Sequence, residues 1–269
     1  MTENEHSENT REAEIREAVR DRYKRLAQKE TPCCSSPEEA TCGCGGIYPS
    51  AEVLSLPAEA VAVSAGCGNP AAIAELKEGM IVVDLGSGGG IDAFLASKRV
   101  GSAGKVFGID ATPEMIARAR KTAKENGFDN VEFRLGEIEH IPLESNVADV
   151  VISNCVINLS PDKPRVFKEA FRVLKPGGKL AVSDILLMKE LPSTIKEDVA
   201  AWSACVSGAM LEEDYLQAIR SAGFVSEKVV DRQVYSEEQL RSHISADSFT
   251  GDLGALVASC RVSAFKPGA

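Results

Sequence analysis

The chain has little of what several functional classes require. It contains only three histidines in 269 residues, which argues against zinc sites with mixed cysteine and histidine ligands. Acidic residues outnumber basic residues by 40 to 30, for a net charge of −10. No segment forms the basic stripe that is typical of nucleic-acid-binding proteins. We therefore expect the partner to be a small molecule or another protein, and not a nucleic acid.

Long apolar runs are also missing. The longest uncharged run, residues 60–74, is interrupted by Gly66, Gly68, Asn69 and Pro70, whereas a membrane span needs about 18 consecutive apolar residues. The first residues, MTENEHSENTREAEIREAV, lack the apolar core of a secretory signal. These features predict a soluble, cytoplasmic protein without a membrane partner.

The chain does have eight cysteines. Because thiols stay reduced inside the cell, we expect metal ligands, catalytic groups or core residues before disulfides. Four of them lie in the irregular segment TPCCSSPEEATCGCGG: Cys33, Cys34, Cys42 and Cys44. Their spacing lacks the usual C-x₂₋₄-C pairs of a zinc site. A loose zinc site and an arm with incidental thiols remain open alternatives for this segment.

Apolar runs and helical segments alternate along most of the chain. Residues 1–30 carry apolar side chains at helical spacing, which predicts a charged N-terminal helix. The runs MIVVDLG, KVFGID, NVEFRLGEI, ADVVISN and KLAVSDI predict five strands separated by helices, and FVSEKVVDRQ and LVASCRVSAFKP predict two closing strands. This alternation is typical of a parallel sheet covered on both faces. We predict an α/β, Rossmann-like fold with a mostly parallel sheet, closing antiparallel strands and a helical cap.

A glycine loop follows the first predicted strand in VVDLGSGGGIDAF. Ligands of open parallel sheets bind at the carboxyl ends of the strands, and glycines there let the backbone approach the ligand closely. A nicotinamide fingerprint needs G-x-G-x-x-G, but its third glycine position falls on Ile91. The observed spacing, Asp84-x-Gly86-x-Gly88-x-Gly90, resembles motif I of the class I S-adenosylmethionine-dependent methyltransferases.

Further residues agree with this resemblance. Asp110 ends the second predicted strand about 20 residues past the loop, where a carboxylate can accept hydrogen bonds from ribose hydroxyls. The resemblance implies that Glu137 faces the adenine amine, that Met115 packs on the adenine, and that S-adenosylmethionine is the cofactor. The predicted cofactor-binding residues are Asp84, Gly86, Ser87, Gly88, Gly90, Asp110, Met115, Glu137, Ile138 and Asn154. A Rossmann-like domain for another nucleotide is the alternative.

Three cysteines lie where a methyl acceptor could be held. Cys155 follows the fourth predicted strand in SNCVINLSPD, Cys67 lies between glycines in SAGCGNP, and Cys205 lies beside Trp202 in AWSACVSGAM. Each cysteine alone would more often be a core residue. Three converging thiolates would form a soft, trigonal site. Trivalent arsenic fits such a site, because its three sulfur bonds form a pyramid that leaves the lone pair at the open apex.

The segments GCGNP, SNCVINLSPDKPRVFKEAFRVLKPGGKLAVSDI and AWSACVSGA look like those of the arsenite methyltransferases. This similarity runs from about Ile47 to the end of the chain. It implies S-adenosylmethionine-dependent methylation of As(III) bound by Cys67, Cys155 and Cys205, with two protein cysteines forming a disulfide during the cycle. Ile91 is a departure, since some members have arginine there.

The resemblance also implies partners. Arsenite or its glutathione conjugate would be the substrate, and thioredoxin, glutaredoxin or glutathione would restore the thiols. The N-terminal thiols Cys33, Cys34, Cys42 and Cys44 would capture the metalloid or exchange disulfides with the site. The remaining cysteine, Cys260, lies inside a closing strand and is predicted to be a core residue.

We divide the chain into an N-terminal helix and cysteine-rich arm (1–46), an S-adenosylmethionine-binding core (47–185), a helical cap carrying Cys205 (186–222) and closing strands of the same domain (223–269). Two other functions stay open. A class I methyltransferase for a quinone or another small acceptor would not need the three thiols. A metalloid-binding thiol protein would not need the intact glycine loop.

Overall fold

The computed structural model describes residues 3–28, 55–63, 66–196, 202, 205–241 and 255–268. The helices are α1 (Glu3–Ala27), α2 (Ala58–Val61), α3 (Ala71–Ala74), α4 (Ile91–Val100), α5 (Pro113–Glu125), α6 (Lys163–Val173), α7 (Ser193–Lys196), α8 (Glu212–Ser221) and α9 (Glu237–Arg241). The strands are β1 (Ile81–Leu85), β2 (Lys105–Asp110), β3 (Val131–Leu135), β4 (Ala148–Asn154), β5 (Leu174–Leu187), β6 (Val225–Val234) and β7 (Val257–Phe265). A 3₁₀ turn (Ile157–Leu159) follows β4.

The strands form one sheet in the order β3-β2-β1-β4-β5-β7-β6. β1 lies parallel to both β2 and β4, so that β2 and β3 extend the sheet to one side of β1, and β4 and β5 extend it to the other. β7 runs antiparallel between β5 and β6. The predicted fold class is confirmed. The switch point between β1 and β4 is where open α/β sheets bind their ligands.

Both faces of the central strands are buried, which explains their nearly continuous apolar sequences, whereas the edge strand β6 is largely exposed. Successive strand residues point to opposite faces. Val82 and Val150 pack in the cluster that contains residues of α4 and α5, whereas the next residues along, Val83 and Val151, pack in the cluster of α6 and α8. Cys260 of β7 is fully buried in the second of these clusters, as predicted for a core residue.

The helices on these faces follow their sequence signals. α6 begins after Asp162, whose carboxylate accepts a hydrogen bond of 3.0 Å from the backbone N–H of Arg165, the usual arrangement of a helix N-cap. Its apolar side chains recur at helical spacing, and Val166, Phe167 and Ala170 are fully buried. The stripe of α6 therefore lies flat against the sheet.

A third, smaller cluster covers the carboxyl edge of the strands. It contains Cys155, Ile185 and Cys205, and the half-buried Val19 and Tyr23 of α1 pack against it. α1 and the segment around Cys205 thus close the edge where the switch point lies. The cysteine-rich segment falls in residues 29–54, outside the described residues, and the four domain boundaries stay predictions. Within the described part of the chain, no helix is long and apolar enough to cross a membrane.

Candidate active site

The glycine loop after β1 has the backbone that its sequence suggests. Gly86, Gly88 and Gly90 have φ values of +66°, +50° and +95°, in the left-handed region that glycine adopts without steric cost. Gly90 precedes α4, and the backbone N–H of Gly88 donates to Oδ2 of Asp110 over 2.9 Å. The loop is therefore tied to the end of β2.

An open cavity lies against this loop at the carboxyl ends of the strands. It brings together most of the predicted cofactor-binding residues: Gly86, Ser87, Gly88, Asp110, Met115, Glu137, Ile138 and Asn154. Asp84 and Gly90 do not line it. Asp84 is buried in β1. Cys155 is also part of the lining, so the cavity continues to the end of β4.

The carboxyl groups of Asp84, Asp92 and Asp110 lie close enough around the loop to interact with one another. Burial raises the pKa of Asp84 well above its usual range, and the nearby carboxylates of Asp92 and Asp110 raise it further. Burial also raises the pKa of Asp110, although backbone N–H groups of Thr112 and Gly88 oppose the shift by donating to its carboxylate. A ligand with hydroxyl groups and positive charge suits this arrangement.

Two buried oxygens near the loop are left without hydrogen-bond partners among the described residues. They are Oδ2 of Asp84 and Oγ of Ser87. Buried polar atoms are nearly always paired, so each unpaired one calls for an explanation such as a missing ligand or water. The lack of hydrogen-bond partners for these two oxygens indicates that a polar ligand or water completes the site at the glycine loop.

α1 forms one wall of the cavity, which the sequence analysis did not foresee. Arg16, Val19, Arg20 and Tyr23 line the cavity from this helix. Arg20 forms an ion pair with Glu137. The spacing of these residues shows one helical face, but periodicity carries no signal of which element that face contacts. In this structure the carboxylate predicted to face adenine is thus paired with arginine.

Arg16 ties α1 to a second carboxylate of the cavity wall. Its Nη1 lies 3.0 Å from Oε1 of Glu139, which also accepts a 2.6 Å hydrogen bond from the hydroxyl of Ser160. Glu139 is buried, so this ion pair is less screened than a surface pair. The contact fixes the middle of α1 over the segment after β3, and Ser160 joins that segment to the turn after β4.

The three predicted cysteines meet at the end of β4. Cys155 is buried directly after the strand and forms a disulfide with Cys67, with the two Cα atoms 5.8 Å apart. The buried thiol of Cys205 donates to the carbonyl oxygen of Cys155, with sulfur and oxygen 2.9 Å apart. The disulfide between two protein cysteines that the family resemblance implied is thus present in this structure, between Cys67 and Cys155. The number and spacing of cysteines cannot show which two of them pair. That depends on which sulfur atoms the fold brings together, here from residues 88 positions apart in sequence.

Buried charged groups that the sequence analysis missed surround the cysteines. A carboxylate oxygen of Asp184 lies within 4.8 Å of the sulfur atoms of Cys67 and Cys155, and the hydroxyl of Tyr215 donates to Asp184 over 3.2 Å. Burial raises the pKa of Asp184 to about 7. The sequence signal was an acidic residue inside the apolar strand KLAVSDI, since a charged residue is rarely buried without a partner.

Burial also shifts the pKa values of Lys163 and Cys205. The ammonium of Lys163 donates to the carbonyl of Ser160 over 2.9 Å and lies 5.1 Å from the ring centre of Trp202. Burial lowers the pKa of Lys163 to about 8. Burial raises the pKa of the Cys205 thiol, and the negative charge of Asp184 adds to this effect. In this state Cys205 is a protonated thiol, in keeping with its role as a hydrogen-bond donor.

Comparison with known proteins agrees with this geometry. Residues 76–223, more than half of the chain, match a family model described as a methyltransferase domain. An arsenite methyltransferase of Halobacterium salinarum is 39% identical over 94% of this chain and 67% of its own length. An arsenite methyltransferase of Aquipseudomonas alcaligenes is 40% identical over 64% of this chain and 51% of its own length. This chain thus spans about two thirds and about half of these relatives.

A solved structure is also similar. An arsenic(III) S-adenosylmethionine methyltransferase from Chlamydomonas reinhardtii superposes with a TM-score of 0.69 at 35% sequence identity, covering 81% of this chain and 73% of that chain. A phosphoethanolamine N-methyltransferase from Haemonchus contortus, 20% identical with a TM-score of 0.58, shares the fold alone. Fold similarity does not identify an acceptor, so the cysteines remain the feature that bears on the substrate.

Proposed function

This chain belongs to the arsenite methyltransferase family of S-adenosylmethionine-dependent methyltransferases, and from that premise we propose that it methylates trivalent arsenic. The observation that carries the proposal is the meeting of Cys67, Cys155 and Cys205 at the end of β4, beside the cavity at the glycine loop. An acceptor held there would adjoin a donor bound in the cavity.

The residues of the cavity fit S-adenosylmethionine, the cofactor of this family. When bound, it supplies an electrophilic methyl group on a positively charged sulfonium. We propose that Asp110 accepts hydrogen bonds from the ribose hydroxyls, that the fully buried Met115 contacts the adenine, and that the unpaired hydroxyl of Ser87, which lines the cavity, gains a partner in the complex. The converging carboxylates favour a cationic ligand over a neutral one.

On the acceptor side, the cysteines would hold arsenite as a thiolate complex. Each exchange replaces a hydroxyl on arsenic by a cysteine sulfur and releases the thiol proton and the hydroxyl as water. Because soft sulfur ligands prefer soft ions, the site discriminates against hard oxygen-loving cations. Three sulfurs leave the lone pair of arsenic on the open side. No general base is then required, since that lone pair carries no proton, and the contribution of the protein is orientation.

The disulfide has a direct consequence for this activity. Cys67 and Cys155 cannot bind arsenic through sulfur while they are joined to each other. A thiol reductant, either one dithiol or two monothiol molecules, must donate two electrons and two protons to open the pair before substrate binds. We propose thioredoxin, glutaredoxin or glutathione for this step, arsenite or its glutathione conjugate as substrate, and the cytoplasm as the compartment. We further propose that the N-terminal thiols Cys33, Cys34, Cys42 and Cys44 deliver arsenic or exchange disulfides with this site.

The test is a methyl-transfer assay with cysteine variants. The reduced protein is incubated with arsenite and methyl-labelled S-adenosylmethionine, and the arsenic species are separated by chromatography. We expect labelled methylarsenicals from the native chain and at least a hundredfold loss in Cys155→Ser and Cys205→Ser. Cys260→Ser is the matched control, because Cys260 is equally buried but lies in β7 away from the cavity.

Three results would contradict the proposal. Undiminished methylation of arsenic by Cys155→Ser would remove the thiol site from the reaction. Methylation of a quinone in place of arsenite would favour a different small acceptor. Tight arsenite binding without any methylated product would indicate a metalloid-binding thiol protein.

A further inference from the structure

Asn154, the last residue of β4, holds the loop that carries Cys67. Its Oδ1 accepts hydrogen bonds from the backbone N–H groups of Cys67 and Gly68, over 3.0 and 3.2 Å. Its Nδ2 donates to the carbonyl of Gly68 over 2.6 Å and to Oδ2 of Asp92 over 3.0 Å. One amide therefore links the cysteine loop to α4, the helix that follows the glycine loop.

The chemistry of these partners determines the orientation of the amide. A primary amide accepts two hydrogen bonds at oxygen and donates two from nitrogen. The oxygen of Asn154 faces two N–H donors, and its nitrogen faces a carbonyl and a carboxylate. The reversed amide would place donors against donors and acceptors against acceptors. These four bonds engage both the oxygen and the nitrogen of the amide.

The loop that carries Cys67 also packs tightly against its neighbours. A Cβ added to Gly66 would lie 2.4 Å from Nδ2 of Asn154, and a Cβ added to Gly68 would lie 2.5 Å from the hydroxyl oxygen of Ser183. From the other side, the hydroxyl of Ser259 in β7 donates to the carbonyl of Cys67 over 2.7 Å. The glycines on both sides of Cys67 thus let the backbone rest directly on these side chains.

We propose that Asn154 is a positioning residue for Cys67, which holds its sulfur within bonding range of Cys155. Without the amide, the loop would keep the contact from Ser259 but lose its attachment to β4 and α4. Cys67 would then sample positions away from Cys155, and the effective concentration of one sulfur at the other would fall. The disulfide would form less readily, although neither cysteine had been altered.

The inference rests on the proposed function, since that function gives the disulfide a role in the catalytic cycle. Its test uses neither arsenite nor S-adenosylmethionine, so the two can fail separately. The purified chain is equilibrated with mixtures of glutathione and glutathione disulfide. Two protein thiols and one glutathione disulfide give one protein disulfide and two glutathione thiols. Alkylation followed by mass spectrometry measures the fraction of Cys67 and Cys155 that is paired.

We expect Asn154→Ala to lower the equilibrium constant for the Cys67–Cys155 disulfide at least tenfold, which is about 30 mV for a two-electron couple. Asn130→Ala is the matched control. Asn130 is also half-buried, and its amide makes three hydrogen bonds, to Ser97 and to the carbonyl of Gly101. These partners lie at the opposite end of α4 from the loop, so the constant should stay within twofold.

An Asn154→Ala constant within twofold of the native value would overturn the proposal, and so would an equal fall in Asn130→Ala. If Asn154→Ala does not fold, Asn154→Asp decides. That variant keeps both acceptor bonds to the loop, but it loses both donor bonds and sets a carboxylate oxygen against the carbonyl of Gly68 and the carboxylate of Asp92, so we expect a fall of at least threefold. An unchanged constant in Asn154→Asp would then refute the positioning role.

Discussion

Two glycines of the same loop differ in what surrounds them. Gly86 and Gly88 both have left-handed backbones, with φ of +66° and +50°. An added Cβ at Gly86 would lie 2.3 Å from Cγ2 and 2.5 Å from Cβ of Val156. At Gly88 it would meet no described atom within 4 Å. The substitutions Gly86→Ala and Gly88→Ala therefore share the backbone cost and differ in the steric clash.

The two costs can be assigned from the structure. A left-handed conformation costs an L-residue about 1–2 kcal/mol, and both variants bear this strain. Forcing an extra carbon into a packed site costs about 1–3 kcal/mol more. Only Gly86→Ala bears this second cost, because the Cβ of Val156 cannot move without its backbone. We expect losses in the free energy of unfolding of about 2–5 kcal/mol for Gly86→Ala and about 1–2 kcal/mol for Gly88→Ala.

Urea unfolding followed by circular dichroism measures both losses. The reasoning is refuted if the two variants differ by less than about 0.5 kcal/mol, the usual limit of agreement between independent effects. Val156→Ala provides a further check, since it removes both γ-carbons from the clash. Combined with Gly86→Ala, it should restore part of the lost stability, whereas combined with Gly88→Ala it should restore none.

Three other predictions concern charged groups and thiols. Because burial raises the pKa of Asp184 from 3.8 to about 7, its folded carboxyl keeps a proton that the unfolded chain has lost, so stability falls as pH rises from 4 to 8. Asp184→Asn should remove up to about 4 kcal/mol of this fall, measured by urea unfolding at both pH values; an unaltered pH dependence would contradict it. Arg20→Gln breaks a largely exposed ion pair and should change stability by less than about 1 kcal/mol in a thermal melt; a larger loss would mean that the contact also holds α1 in place. Alkylation in native buffer should label the half-buried Cys67 only after reduction and leave the fully buried Cys260 unlabelled in both states, and labelling of Cys67 without reductant would contradict the disulfide.

Much of the fold could be predicted because its signals are local. Apolar runs such as ADVVISN mark strands buried on both faces, and the glycine spacing around Gly86 marks the loop that follows β1. The carboxyl ends of parallel strands meet at one edge. Residues as distant in sequence as Gly88 and Asp110 could therefore be expected to lie together, as their hydrogen bond confirms.

The remainder depends on contacts that no local pattern records. The helical spacing of α1 predicts its apolar face but not that Tyr23 would line the cavity. Cys67 and Cys155 are 88 residues apart in sequence, and no local pattern records that the fold brings them together. Asp184 sits in an apolar strand, and only the folded chain reveals that its carboxylate faces the cysteine sulfurs. The chemical roles of the site residues stay predictions until the variants are assayed.

The bond from Ser259 to Cys67 also bears on how the protein is made. The two residues are 192 positions apart in sequence, and at about 5–20 residues per second the ribosome needs about 10–40 s to cover that distance. Throughout this interval the nascent chain carries Cys67 without the contact from β7, since β7 must still insert between β5 and β6. A wrong pairing of Cys67 with another cysteine is therefore most readily formed during synthesis, before β7 supplies this contact.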